Sequence, residues 1–305
     1  MKAGTKLERI LESGRFAVTA EAGPPKGTSA AVVQRKGEML RNCCDAVNVT
    51  DNQTAIVRMS SMAGCALLKQ VGVEPVMQMV VRDRNRLALQ SDVLGAVAIG
   101  IGNFLCLSGD HQKFGNHPTA KGVFDIDSIQ LIQVLKKMRD EKKFLCGEDI
   151  SGEVPLFIGA AANPFADPFE FRVRRLAKKI KAGADFIQTQ AVYDVSKFAK
   201  FMEMVCERGL DKQVHILAGV IPIRSLGMAR YMRDYVSGVS VPDEIITRLE
   251  TAEKAKDEGV KIILEIIEQL KEIPGVHGIH IMAVGWEDIV PEMVERAGFM
   301  PRPVL

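Results

Sequence analysis

The chain is poor in large aromatic side chains: its 305 residues include one Trp and three Tyr. That argues against a sugar cleft, which stacks its substrate on several such rings. No charge of one sign dominates. Forty Lys and Arg face 38 Asp and Glu for a net charge of +2, so there is no electrostatic case for nucleic acid or a membrane surface. Long apolar runs are missing too. The longest, residues 94–107, is interrupted by glycines and Asn103 and is too short to span a bilayer. The first residues, Met1-Lys-Ala-Gly-Thr-Lys, lack the apolar core of a signal peptide, and a cytoplasmic location is expected. The six cysteines are Cys43, Cys44, Cys65, Cys106, Cys146 and Cys206, with no Cys-x-x-Cys pair. No Cys/His set has zinc spacing, so neither a metal site nor an internal iron–sulfur cluster is expected. Five or six of these thiols read as buried small hydrophobes.

What the chain does have is regular alternation. Strand-like runs fall at 16–21, 46–50, 75–81, 103–108, 155–161, 185–190, 214–220 and 278–284. Helix-like segments follow at 29–42, 56–71, 84–94, 128–142, 168–182, 195–207, 225–235 and 286–297. An additional helical stretch, 242–270, precedes the last strand and reads as one excursion. Short apolar strands, each followed by an amphipathic helix, indicate a parallel sheet buried on both faces. Eight such units predict a closed (β/α)8 TIM barrel; a doubly wound open sheet is the alternative. No Ser/Gly/Pro-rich linker divides the chain, so residues 1–305 read as a single domain.

In such a barrel, chemistry collects just beyond the carboxyl ends of the strands. The residues there are Glu21, Thr50 to Asn52, Gln78, Ser108-Gly109-Asp110, Ala162-Asn163-Pro164, Thr189-Gln190, Ile221-Pro222 and Ala283 to Gly285. Glu21 is held by the Gly23-Pro24-Pro25 turn that follows. A lone Glu in that position is more often a helix cap or a solvated side chain; the eight-fold repeat raises its standing. No Lys is placed for a Schiff base, and no His cluster suits a metal. A mouth of amides and hydroxyls with few charges suits a flat heteroatom-rich ring such as a flavin or pterin. Arg172, Arg175 and Lys179 share one stripe of a helix that starts near the mouth, where a phosphate would be held. A solvated helix face is the commoner reading of such a run.

Glu-Ala-Gly-Pro-Pro at Glu21, Val-Thr at Thr50, Leu-Ser-Gly-Asp at Asp110 and Lys-Lys-Ile-Lys-Ala-Gly-Ala-Asp-Phe-Ile-Gln-Thr-Gln at 178–190 together resemble the methylenetetrahydrofolate reductase family. The resemblance implies a flavin-containing barrel that reduces 5,10-methylenetetrahydrofolate to 5-methyltetrahydrofolate by hydride transfer. By the same resemblance Glu21 is the general acid that opens the folate ring. Asp110 orients the pterin near the flavin and helps stabilise the cationic intermediate, and Gln190 contacts substrate. Thr50, Gln78, Ser108, Gly109, Asn163, Arg172, Arg175 and Lys179 fall at flavin positions. The chain departs from the family at several of them: Gln78 stands for His, Ser108 for Arg, Asn163 near a stacking Tyr, and Arg172 and Arg175 for an acid and an amide. Gly285-Trp286 replaces the usual Asn-Arg. FAD is the expected cofactor, with FMN close behind because two guanidinium groups suit its terminal phosphate. The expected donor is NADH, NADPH or a partner protein that would carry any iron–sulfur relay. A pterin-binding barrel without flavin is the remaining reading. An acid acting near neutral pH needs a raised pKa, and burial is the expected cause, since no charged neighbour is adjacent in sequence. Oligomeric state, physiological direction and folate tail length are left open.

Overall fold

The computed structural model describes residues 1–236 and 238–304. Eight parallel strands close in simple order. They are β1 (Ala17–Ala22), β2 (Ala46–Val49), β3 (Pro75–Val80), β4 (Asn103–Leu107), β5 (Phe157–Ala162), β6 (Phe186–Ala191), β7 (His215–Val220) and β8 (Gly278–Ile281). β8 returns to β1 with Thr19 opposite His280. The expected eight-fold barrel is therefore present, and strand boundaries agree to within a few residues.

The helices are α1 (Lys6–Glu12), α2 (Ala30–Leu40), α3 (Ser61–Gln70), α4 (Arg86–Ala98), α5 (Ser128–Asp140), α6 (Phe169–Ala182), α7 (Val195–Glu207), α8 (Leu226–Tyr235), α9 (Asp243–Thr251), α10 (Ala255–Lys271) and α11 (Val290–Arg296). Their apolar stripes turn inward, with α9 packed mainly on α8 and α10. In α6, Val173, Leu176 and Ala182 are buried, while most of its Arg and Lys stay at the surface. Helix starts are marked by side-chain caps: Ser60, Asn85, Asp194 and Ser225 each accept a backbone N–H from the first turn, and Asp127 with Gln130 forms a reciprocal capping box.

Three expectations need correction. The stretch 242–270 is two helices, α9 and α10, broken at Ala252 to Lys254. The helix expected from residue 56 begins only at Ser61, because Ile56 is extended at φ −101° and ψ 127° and the Ser60 side chain caps the first turn. Four cysteines are buried, but Cys206 is half-buried and Cys146 is exposed.

The sequence reading also passed over α1. This helix closes the amino-terminal end of the barrel, where Leu7, Ile10 and Leu11 join Ala17, Ala46, Val76, Leu105, Phe157, Phe186 and Leu217 in one apolar cluster. Glu74, just before β3, fixes it by accepting the backbone N–H groups of Lys6 and Leu7. Inside the barrel, Phe186 fills the space left by Gly159, where a Cβ would lie 2.3 Å from its ring. Among the described residues, no helix is long and apolar enough to cross a membrane.

Candidate active site

The carboxyl ends of the strands surround a cavity of about 610 Å³, within the range of small-ligand sites. Glu21, Gln78, Ser108, Gly109, Asp110 and Gln190 all line it, so six of the expected residues share one chamber.

Glu21 is buried on β1 with both carboxyl oxygens engaged. Gln78 on β3 donates through Nε2 to Oε2 at 3.2 Å, and Gln53 donates through Nε2 to Oε1 at 3.3 Å. Burial pushes its pKa up from 4.5 to about 7, against the lowering effect of the two amides. Glu287 adds a small upward push and Lys36 a small downward one. These two are ion-paired with each other, and Lys36 also donates to the carbonyl of Gly23 at 3.0 Å.

Asp110 follows β4 on the opposite wall. Its Oδ2 accepts the backbone N–H of Thr54 at 2.9 Å, and its carbonyl accepts from Arg82 Nη1 at 2.9 Å. Arg82 is buried and grips Asp83 with two nitrogens. It also donates to the carbonyl of Asn52 at 3.2 Å. Asp51, at the mouth of β2, accepts the Val80 N–H at 2.9 Å and pairs with Arg84. The mouth thus carries more charge than expected, with Asp51 and Asp83 matched to guanidinium groups. Ser108 turns its hydroxyl to Ser128 at 3.2 Å, at the start of α5.

The cavity floor is a polar layer inside the barrel. Gln188 bonds Asn48 in both directions, at 2.7 and 3.1 Å. His280 Nδ1 lies 2.9 Å from Thr19 Oγ1 and 3.2 Å from Gln188 Nε2. Burial lowers the His280 pKa to about 3, so the ring stays neutral at physiological pH.

A second depression of about 220 Å³ adjoins the cavity, sharing Ala161 and Gln190 with it. Asn163, Arg172, Arg175 and Lys179 line it, so the cationic stripe of α6 does reach the mouth. The four play different parts. Arg172 is already committed to the carbonyls of Ala166 and Asp167, and Asn163 Oδ1 accepts from Phe165 and Ala166 N–H. These two brace the loop between β5 and α6. Lys179 donates to the Ala161 carbonyl, and burial beside Arg175 lowers its pKa to about 8. An anionic phosphate there would raise that pKa again, and among the described residues Arg175 carries no bond of the kind that ties Arg172 to two loop carbonyls, so Lys179 and Arg175 fit a phosphate better than Arg172 does.

Thr50 is the expected residue set apart from the chamber. It is buried and does not line the cavity, and its hydroxyl has no partner among the described residues. Gln53, Arg82, Gln188, His280 and the rim residue Tyr231 are cavity residues that sequence reasoning missed. A polar Gln188 and His280 inside apolar strands were the available signal. Gln53, out in a loop, offered none.

A methylenetetrahydrofolate reductase family profile matches residues 6–298. Methylenetetrahydrofolate reductase 2 of Schizosaccharomyces pombe is 27% identical over 222 residues, which cover 67% of this chain and 32% of that protein. Methylenetetrahydrofolate reductase 2 of Saccharomyces cerevisiae is 30% identical over 155 residues, covering 47% and 25% respectively. The 5,10-methylenetetrahydrofolate reductase of Escherichia coli is 21% identical over 206 residues, covering 66% and 62%. The matched region therefore spans only a quarter to a third of the two fungal relatives. Among solved structures, an uncharacterized Clostridium thermocellum protein that binds two copies of 5-methyl-5,6,7,8-tetrahydrofolic acid has a TM-score of 0.67 at 17% identity, covering 95% of this chain and 97% of its own. An F420-dependent secondary alcohol dehydrogenase has a TM-score of 0.55 at 13% identity, covering 92% and 99%. These two likenesses establish the fold, while the family profile runs over nearly the whole sequence: the chain belongs to the methylenetetrahydrofolate reductase family.

Proposed function

We propose that this chain reduces 5,10-methylenetetrahydrofolate to 5-methyltetrahydrofolate as a single flavin-binding unit, with Glu21 as the proton donor. The observation that carries this reading is a buried carboxyl on the cavity wall, held by two amides, with its pKa raised to about 7. Such a group still holds a proton near neutral pH and can give it to the leaving nitrogen of the folate imidazolidine ring. The Clostridium thermocellum protein of like fold, which binds methyltetrahydrofolate, supports a folate as ligand.

The donor set also fits the cofactor. Arg175 and Lys179 offer a cationic depression continuous with the main cavity, suited to the phosphates of FAD or FMN. A reduced flavin held there would supply the hydride. Glu21 protonates the leaving nitrogen, so that the ring opens to an electrophilic iminium on the substrate. The Asp110 carboxylate faces the same cavity and can orient the pterin while offsetting that positive charge. Gln190 lies where the two depressions join and is placed to contact the substrate.

One preparation tests this. The purified protein should be yellow, or become so with FAD or FMN, and release followed by chromatography distinguishes the two. Anaerobic mixing with NADH or NADPH should bleach the flavin; failure with both points to a partner protein as donor. The Glu21→Gln variant should keep its flavin reducible but form methyltetrahydrofolate at least roughly 100-fold more slowly. Undiminished product from that variant would remove Glu21 from the mechanism.

A further inference from the structure

The segment between β2 and α3 has an unusual backbone. Asn52, Thr54 and Ala55 have φ of 44°, 57° and 55°, the left-handed region that a β-branched Thr and an Ala rarely enter. Several contacts hold it there. Arg82 donates to the Asn52 carbonyl and Asn116 Oδ1 accepts the Val57 N–H. Gly115 packs so closely that a Cβ would lie 1.8 Å from the Ala55 carbonyl oxygen. Two groups on this segment then reach two different acids. The Gln53 amide donates to Glu21, and the next residue, Thr54, donates its backbone N–H to Asp110.

We propose that Gln53 is a positioning residue for the Glu21 proton, and that the left-handed segment 52–55 is a latch through which Asp110 holds Gln53 in place. This rests on Glu21 being the proton donor, the reading given above. The chemistry follows from the direction of the bonds. An amide N–H favours the carboxylate over the carboxylic acid. Gln53 and Gln78 therefore stabilise the anion left after Glu21 has given up its proton, making it a stronger acid than burial alone would allow. Gln78 is set in a strand. Gln53 depends on a strained turn, and the turn depends on Asp110. Ligand contact with Asp110 would thus be felt at Glu21 without any contact to Glu21 itself.

Other charges around Glu21 are paired or remote from its carboxyl. Lys36 from α2 and Glu287 beyond β8 neutralise each other. On the cavity walls Asp51 pairs with Arg84 and Arg82 with Asp83. Arg58 donates to the Pro24 carbonyl, and Asp110 is the acid the latch itself engages.

The test is an infrared titration of the Glu21 carboxyl band in the full chain without folate, with Glu21→Gln used to assign the band. In Gln53→Met, which keeps side-chain length but loses the N–H, the Glu21 pKa should rise by about 0.4 to 1 pH unit. An unchanged or lower value overturns the role of Gln53. Asp110→Ala supplies a second arm with opposed signs. Removing a nearby negative charge lowers the Glu21 pKa, whereas releasing the latch raises it. A rise supports the latch, and a fall or no change overturns it. If the wild type titrates as described but fails to reduce methylenetetrahydrofolate, the functional reading fails and the positioning role stands. If reduction is intact but the Gln53 variant titrates like wild type, only the positioning role fails.

Discussion

At the amino ends of its strands the barrel is closed by apolar side chains from α1, whereas at the carboxyl ends it opens onto amides, acids and guanidinium groups. The same eight strands supply both surfaces. At the closed end Leu7, Ile10 and Leu11 meet Phe157 and Phe186, and burial lowers the free energy directly. At the open end burial works against ionisation, as at Glu21, and the groups there are kept in place by hydrogen bonds. One end stabilises the fold; the other uses that stability to hold a carboxyl in a protonation state it would not keep in water.

This contrast can be broken in order of expected effect. Glu21→Gln should lower folate reduction by roughly 100- to 10,000-fold, the usual contribution of a general acid. Its effect on stability should have the opposite sign. The raised pKa means the folded chain binds the Glu21 proton more tightly than the unfolded chain, so that contribution is complete below about pH 4.5 and is lost as pH rises through about 7. At pH 8 the variant should therefore be more stable than the parent, by on the order of 3 kcal/mol at most, and no more stable at pH 4; denaturant titration at both pH values checks this. Leu7→Ala, at the closed end, should cost about 2–5 kcal/mol in the same titration and leave turnover per folded molecule unchanged. Lys179→Met should weaken flavin binding by about 10- to 100-fold, the range for a charge-assisted bond, with little effect on thermal unfolding of the flavin-free chain. The smallest effect belongs to His280. With its pKa near 3, its ring ¹⁵N shifts should not titrate between pH 5 and 8.

The open end was only partly legible in the sequence. Residues on or directly after strands, such as Glu21, Gln78, Asp110 and Gln190, are placed by the strand repeat itself, and the structure brings them together. Gln53 is not, because its position depends on a left-handed turn that falls between the strand-like run 46–50 and the helix-like segment 56–71, and no local pattern marks a backbone held by distant contacts. Arg172 was overvalued for a related reason. Helical spacing places it beside Arg175 and Lys179, but it cannot reveal that two loop carbonyls already occupy its guanidinium. At the closed end α1 escaped notice because it is seven residues long, too short for periodicity to register.

The position of α1 also bears on the order of assembly. It precedes all eight strands in the chain, yet its apolar face shares a cluster with residues from β1 through β7. Until those strands are in place there is no surface for it to settle on, and a seven-residue helix is marginal alone in water. An element made before the strands it packs on is thus seated only once β1 to β7 are in place.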